Sequence, residues 1–175
     1  MIKDSAEVSV EAEFSDDRKL RYSLTKSWNT DKPKALFILL NPSKADVLKV
    51  DNTFGNIINQ SIDLGYGSLT LVNLFPFMAT DQKELKGKLE LGKNENINVI
   101  KRELNSTKNV FIAWGSEHHK YKERKSEFEA IFKTHEPDIN LRCWYNKEES
   151  YPKHLRIVSK EWSLKAYSYV FNNVT

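Results

Sequence analysis

Three polar elbows hold the residue types in this chain that could do chemistry. The first is Asn41-Pro42-Ser43, with Asp46 and then Asp51 beyond it. The second is Asn73-Leu74-Phe75, followed by Thr80-Asp81. The third is Trp114-Gly115-Ser116, followed by His118 and His119. A loop histidine, His154, comes after Tyr151-Pro152-Lys153. Amides can read a hydrogen-bonding edge, and carboxylates can orient water or stabilise a developing positive charge. Each candidate also has a local duty it could serve instead. Asn41 and Asn73 can satisfy turn backbone. Asp51 and Asp81 precede helical patterns and can be N-caps. Phe75 and Trp114 can be core. Asp46 has no capping duty in view. Adjacent histidines on a helix point in different directions, so His118 and His119 are not expected to share a metal.

The elements before each elbow explain why the elbows could meet. Ala35–Leu40 is a short, wholly apolar run, the pattern of a buried strand, and Pro42 ends it because it cannot donate to a sheet ladder. Leu69–Asn73 and Asn109–Gly115 read as two more buried strands. If the three are parallel neighbours, their carboxyl ends converge on one rim, where open α/β sheets bind ligands. Phe54, Ile57, Ile58, Ser61 and Ile62 have helical spacing behind Asp51-Asn52-Thr53, and Gly65 and Gly67 stop that helix. Asp81 and Glu84 form a capping box for a short helix; Asn94 is expected to cap another, with Ile97, Ile100 and Leu104 on one face. Residues 116–133 read as helix and 139–145 as a fourth strand, with 155–158 a candidate fifth. At the front, Val8–Phe14 and Leu20–Thr25 alternate with period two around Ser15-Asp16-Asp17, which predicts a β-hairpin. The expected fold is α/β: a three-layer sandwich with a mostly parallel central sheet and the N-terminal antiparallel hairpin added on an edge.

Bulk properties narrow the class. The 175 residues suit one domain spanning 1–175, with no linker or repeat to divide them. With 39% hydrophobic and 29% charged residues, the chain reads as globular rather than disordered. No apolar run is long enough to span a membrane, and the acidic, alternating N-terminus is not a signal peptide, so a cytoplasmic location is expected. Cys143 is the one cysteine, which excludes an internal disulfide and a multi-cysteine metal site. A net charge of +3 permits an anionic partner without requiring one. Lys44, Lys49, Lys120, Lys122, Arg124, Lys125, Lys153 and Arg156 are scattered, mostly a solvated surface, with some available to phosphate. The glycine-rich phosphate loops, the nucleophile elbow of serine hydrolases and the zincin motif are absent. No metal and no cofactor are expected.

As an ordered set, these motifs resemble a bacterial and phage family catalogued as domain of unknown function 1643. The resemblance rests on Phe14-Ser15-Asp16-Asp17-Arg18 with Leu20-Arg21-Tyr22-Ser23-Leu24, Leu39-Leu40-Asn41-Pro42-Ser43 with Ala45-Asp46, Asp51-Asn52-Thr53, Gly65-Tyr66-Gly67, Val72-Asn73-Leu74-Phe75 with Ala79-Thr80-Asp81, and Ala113-Trp114-Gly115. It runs over about residues 12 to 158. The chain departs from the family pattern at Gly92-Lys93-Asn94-Glu95-Asn96 and at Pro152-Lys153-His154-Leu155, which keeps the histidine and loses a second proline. The order of elements is also similar to that of the uracil-DNA glycosylase superfamily. That likeness implies a first loop of Asn41-Pro42-Ser43 with Asp46, a base-reading Asn73 with Phe75, a glycine-ended strand at Trp114-Gly115, and His154 beside the leaving base.

The resemblance implies a nucleobase- or nucleotide-recognising protein, with N-glycosidic hydrolysis as one outcome. In that reading Asp46, Asp51 and His154 are catalytic. Asn41, Pro42, Ser43, Asn73, Phe75, Thr80, Asp81, Trp114, Gly115 and His118 bind the ligand. The partner is then a nucleotide or nucleic acid, without a membrane. Two alternatives stand beside it: a non-catalytic nucleotide or nucleic-acid binder using the same pocket, and a protein-interaction module.

Overall fold

The computed structural model describes residues 1–44, 48–115, 117, 120–135, 138–147 and 151–171. Seven strands form one mixed sheet: β1 (Ser9–Phe14), β2 (Arg21–Ser27), β3 (Lys34–Leu39), β4 (Ser68–Asn73), β5 (Asn109–Ile112), β6 (Asn140–Tyr145) and β7 (Ser163–Ala166). Their spatial order is β1-β2-β4-β3-β5-β6-β7. Three α-helices connect the central strands: α1 (Asn52–Asp63), α2 (Lys93–Ser106) and α3 (Lys122–Lys133).

The four central strands β4, β3, β5 and β6 are parallel, while β1, β2 and β7 pair antiparallel at the two edges. The hairpin therefore sits on an edge, as its alternation predicts, but the sheet as a whole is mixed rather than mostly parallel. Part of the difference is β7, which comes from a tail with weak periodicity. The expected strand at 155–158 is instead a turn. Its apolar residue, Leu155, is fully buried as a plug rather than as a strand position.

Each face of the sheet has its own core, because alternate strand residues point to opposite sides. Leu36, Ile38, Val72, Val110 and Ile112 meet Ile100 and Leu104 of α2 and Phe128 and Phe132 of α3. Ala35, Phe37, Leu39, Leu69, Leu71 and Phe111 meet Phe54 and Ile57 of α1. Each fully buried Leu, Ile or Phe contributes about 1.5–3 kcal/mol, so the runs that read as strands also drive the fold. On the α1 side, Phe37, Phe111 and Trp144 stack across three strands, with ring centroids 4.8 Å and 5.4 Å apart. The outer end of α1's apolar stripe leaves the core: Ile62 is 50% exposed.

Helix starts follow local chemistry with two exceptions. Asp51 caps α1 by accepting from the Phe54 N–H at 2.8 Å. Asp81 and Glu84 form the expected capping box on a short 3-10 helix, Gln82–Leu85. Asn94, expected as a cap, lies inside α2; the helix starts after Gly92 in the left-handed region (φ 61°), with no side-chain cap. Helix α3 starts at Lys122, later than its pattern suggests, after Tyr121 at φ 57°.

Candidate functional site

The three elbows converge because their strands are parallel and in register. Leu39 lies opposite Asn73, and Ile38 lies opposite Ile112. Backbone bonds continue the alignment past the strands: Leu74 N–H donates to the Leu39 carbonyl, and Ala113 N–H to that of Ile38. The chain leaves β3 toward α1 on one face and β5 toward α3 on the other, so a crevice opens between their carboxyl ends. The cavity there measures about 1160 Å³.

Asn41, Pro42, Ser43, Asp51, Asn73, Thr80, Asp81, Trp114, Gly115 and His154 all line this cavity. Phe75 does not. It is 1% exposed, packed edge-on against Tyr121 and beneath the Arg124 guanidinium, so it belongs to the α3 core. The positions of Asp46 and His118 lie outside the described residues, as do those of Ser116 and His119.

The amides divide by duty. Asn41 Nδ2 donates to the carbonyls of Pro42 (3.1 Å) and Ala79 (2.8 Å), lacing the first elbow to the loop after β4. Ala79 N–H returns a bond to the Pro42 carbonyl at 2.9 Å. Asn73 is different: it is 2% exposed, and its carboxamide has no hydrogen-bond partner among the described residues. Its backbone carbonyl is held by Nδ2 of the buried Asn96 at 2.8 Å. The elbow is fixed by α2 while the side chain stays uncommitted at the cavity wall.

His154 is placed from a distance. Asn56 of α1 donates to the carbonyls of Leu155 (2.9 Å) and Arg156 (3.1 Å), and Lys153 N–H donates to the Trp144 carbonyl. Leu155 anchors the turn in the α1-side core. The Arg156 N–H donates to His154 Nδ1 at 3.2 Å, so the neutral ring carries its proton on Nε2. Burial lowers the His154 pKa below 6.5; Asp51 opposes that shift and Arg156 adds to it. A neutral histidine in this setting is a hydrogen-bond donor rather than a cation.

The rest of the wall is cationic. Arg21, Lys49, Lys83, Lys120, Lys153 and Arg156 line the cavity, against the carboxylates of Asp51, Asp81 and Glu117. Lys120 is paired with Glu117 at 3.0 Å. The elbow after β5 is held from below by buried Lys125, whose Nζ donates to the Glu117 carbonyl at 2.7 Å; burial pulls that lysine down to about 8. Trp162 supplies an aromatic wall, and the indole N–H of buried Trp114 has no partner among the described residues.

Among the residues that sequence reasoning missed are Arg21, Asn56, Asn96 and Trp162. In simple alternation Arg21 falls on the face opposite Leu24. A register shift breaks that alternation: Ser23 pairs with Glu13 but Arg21 pairs with Phe14, skipping Tyr22. Such an irregularity moves the residues beyond it to the other face, and Arg21 joins Leu24 and Leu71 on the cavity wall. Asn96 had a signal, a polar residue four and eight positions before Ile100 and Leu104 on one helix face. Asn56 had none.

Among the described residues no group of three or more His, Cys, Asp or Glu side chains could hold a metal ion, and no helix is long and apolar enough to cross a membrane. The fold and cavity define a class: an α/β protein with a cationic, amide-bearing cavity at the carboxyl ends of parallel strands. Residues 21–154, more than half of the chain, match the family described as Protein of unknown function (DUF1643), and the chain belongs to that family. No curated protein and no solved structure matches it.

Proposed function

We propose that the cavity recognises a nucleobase carried by a nucleotide or nucleic acid. The observation behind this reading is Asn73. Its buried carboxamide faces the cavity uncommitted, and a carboxamide offers both a donor and an acceptor to a base edge. With no protein partner among the described residues, this amide has both its donor and its acceptor available to a ligand edge. The His154 Nε2–H and the ring of Trp162 supply a second donor and an apolar wall. The order of elbows, similar to that of the uracil-DNA glycosylase superfamily, supports the same choice of ligand, although likeness of fold does not carry activity with it.

The test is calorimetric titration of the four common nucleosides and of uridine into wild type and Asn73→Ala. Selective binding that Asn73→Ala abolishes is expected. Absence of binding by every nucleoside and by single-stranded DNA would remove the reading.

A second reading, N-glycosidic hydrolysis, draws on Asp51 and His154, which face the same cavity and are electrostatically coupled. A carboxylate beside the sugar would stabilise its cationic character, and His154 would donate to the leaving base. Incubation with oligonucleotides containing uracil or modified bases checks it. Abasic product lost in Asp51→Asn or Asp46→Asn is the supporting result; absence of product with the wild type leaves the binder.

A further inference from the structure

We propose that Arg21 anchors a phosphate subsite in this cavity, so that the ligand is a phosphate-bearing one rather than a free base or nucleoside. The identity of the attached group rests on the nucleobase reading above; the anion subsite does not. Arg21 is 5% exposed at the start of β2 and lines the cavity. Its Nε is buried without a hydrogen-bond partner, and its guanidinium takes part in no ion pair among the described residues.

Arg124 Nη1 and Arg142 Nε are also buried without a partner, but each of those guanidiniums is held through another nitrogen. Arg124 donates to Glu90 Oε1 at 2.8 Å and to the Leu89 carbonyl at 3.0 Å. Arg142 donates to the Tyr66 hydroxyl at 2.6 Å and lies over the Phe111 ring. Buried Lys26, on the same face of β2, has the Phe54 ring 4.8 Å away. Among the described buried arginines, Arg21 is the one that lines the cavity with no side-chain hydrogen bond or ion pair. A buried charge without a partner is costly, and an anion entering the cavity is what would complete it.

The surroundings favour phosphate among anions. Asn52 and Thr53, in the first turn of α1, line the same cavity, and their backbone N–H groups have no acceptor among the described residues. Helix N-termini favour anions, and a guanidinium fork matches two phosphate oxygens. Burial pulls the Arg21 guanidinium down to about 10, and the charge of Asp51, which also faces the cavity, opposes that shift. One Asp51 oxygen is committed to Phe54 N–H. The six cations of the wall outnumber its three carboxylates, so a dianion has a favourable field.

The experiment compares inorganic phosphate, nucleoside 5′-monophosphates, the matching nucleosides and a short single-stranded oligonucleotide. Thermal shift and calorimetry are run on wild type, Arg21→Met and Arg21→Gln. Monophosphates are expected to bind at least about tenfold more tightly than nucleosides, a gain lost in both variants. Without ligand, Arg21→Met is expected to melt higher than wild type, because it replaces an unpaired buried charge with an apolar side chain of similar length. If monophosphates bind no better than nucleosides, the phosphate subsite is overturned and the nucleobase reading stands. If phosphate binds through Arg21 and no nucleoside binds, the subsite stands and the nucleobase reading falls. If both variants lose stability without ligand, the guanidinium is structural and the proposal fails. Tighter binding of the oligonucleotide than of monophosphates would assign the phosphate to a nucleic-acid backbone; the reverse would assign it to a free nucleotide.

Discussion

Gly115 turns the chain away from β5 at φ 95°, and Ala at this position separates backbone strain from crowding. A Cβ there would find its nearest neighbour, the Cβ of His154, at 3.5 Å, an ordinary contact. Space is therefore available, and the cost of Gly115→Ala is the left-handed backbone itself. Holding a non-glycine residue in such a region costs about 1–3 kcal/mol. For a chain of this size each kcal/mol moves Tm by about 2–4 °C, so Tm should fall by about 2–12 °C. Gly55, inside α1, is the control. Its backbone is not left-handed, and its Cβ would meet only Val50 Cγ1 at 3.6 Å. Gly55→Ala should raise stability by about 0.5–1 kcal/mol, because alanine is the better helix former. Both variants are compared by calorimetric melting and urea denaturation at one pH. An unchanged Tm for Gly115→Ala, with the Gly55→Ala gain present, would refute the claim that this elbow is held in a conformation only glycine adopts freely. It would also remove the reason for a glycine beside His154.

Three further outcomes follow from the contacts. Asn56→Ala deletes the two bonds that hold the Leu155 and Arg156 carbonyls. It should cost about 1–3 kcal/mol and speed hydrogen exchange at residues 153–156; unchanged exchange there would show that Leu155 alone holds the turn. Because burial lowers the His154 pKa from 6.5, the unfolded chain binds more protons than the folded one between 6.5 and the lower folded value. Stability should therefore drop as pH falls below about 6.5, and His154→Asn should flatten that slope, which denaturation midpoints at pH 7.5 and 5.5 will read. Equal slopes in the two proteins would count against a buried neutral ring. Tyr167→Phe removes the 2.7 Å bond to the fully buried Glu129, which also accepts from Val170 and Phe171 N–H groups. A loss of about 1.5–3 kcal/mol is expected in urea titration; a loss under 0.5 kcal/mol would mean that the other contacts of Glu129 suffice.

Much of the site was legible because it is punctuated locally. An apolar run such as Ala35–Leu40 has few ways to be buried other than as a strand, and Pro42 ends it on steric and hydrogen-bonding grounds alone. Asp51 and the Asp81–Glu84 box are likewise local, since a cap bonds to residues two or three positions away. Periodicity placed α1 and α2 but not the start of α2, because a left-handed Gly92 can begin a helix that no side chain caps.

The sequence by itself determined the front hairpin, the buried central strands, their elbows and the Asp51 and Asp81 caps, because those depend on patterns within a few residues; it missed β7 and misplaced a strand at 155–158 and a cap at Asn94. It did not determine which elbow residues face the cavity. Phe75 follows Asn73 by two positions yet lies in the core, while Arg21 enters the wall through a register shift that only the pairing of β1 with β2 reveals. Nor could it place His154, whose loop is held by Asn56, 99 residues from Leu155 in the chain, and by a single buried leucine. The tertiary structure decided these because burial and cross-strand register are set between segments that are distant in the chain. It also decided that Asn41 is committed to Ala79 and Pro42 while the Asn73 carboxamide has no partner among the described residues, a distinction two identical side chains on two similar elbows cannot express in sequence.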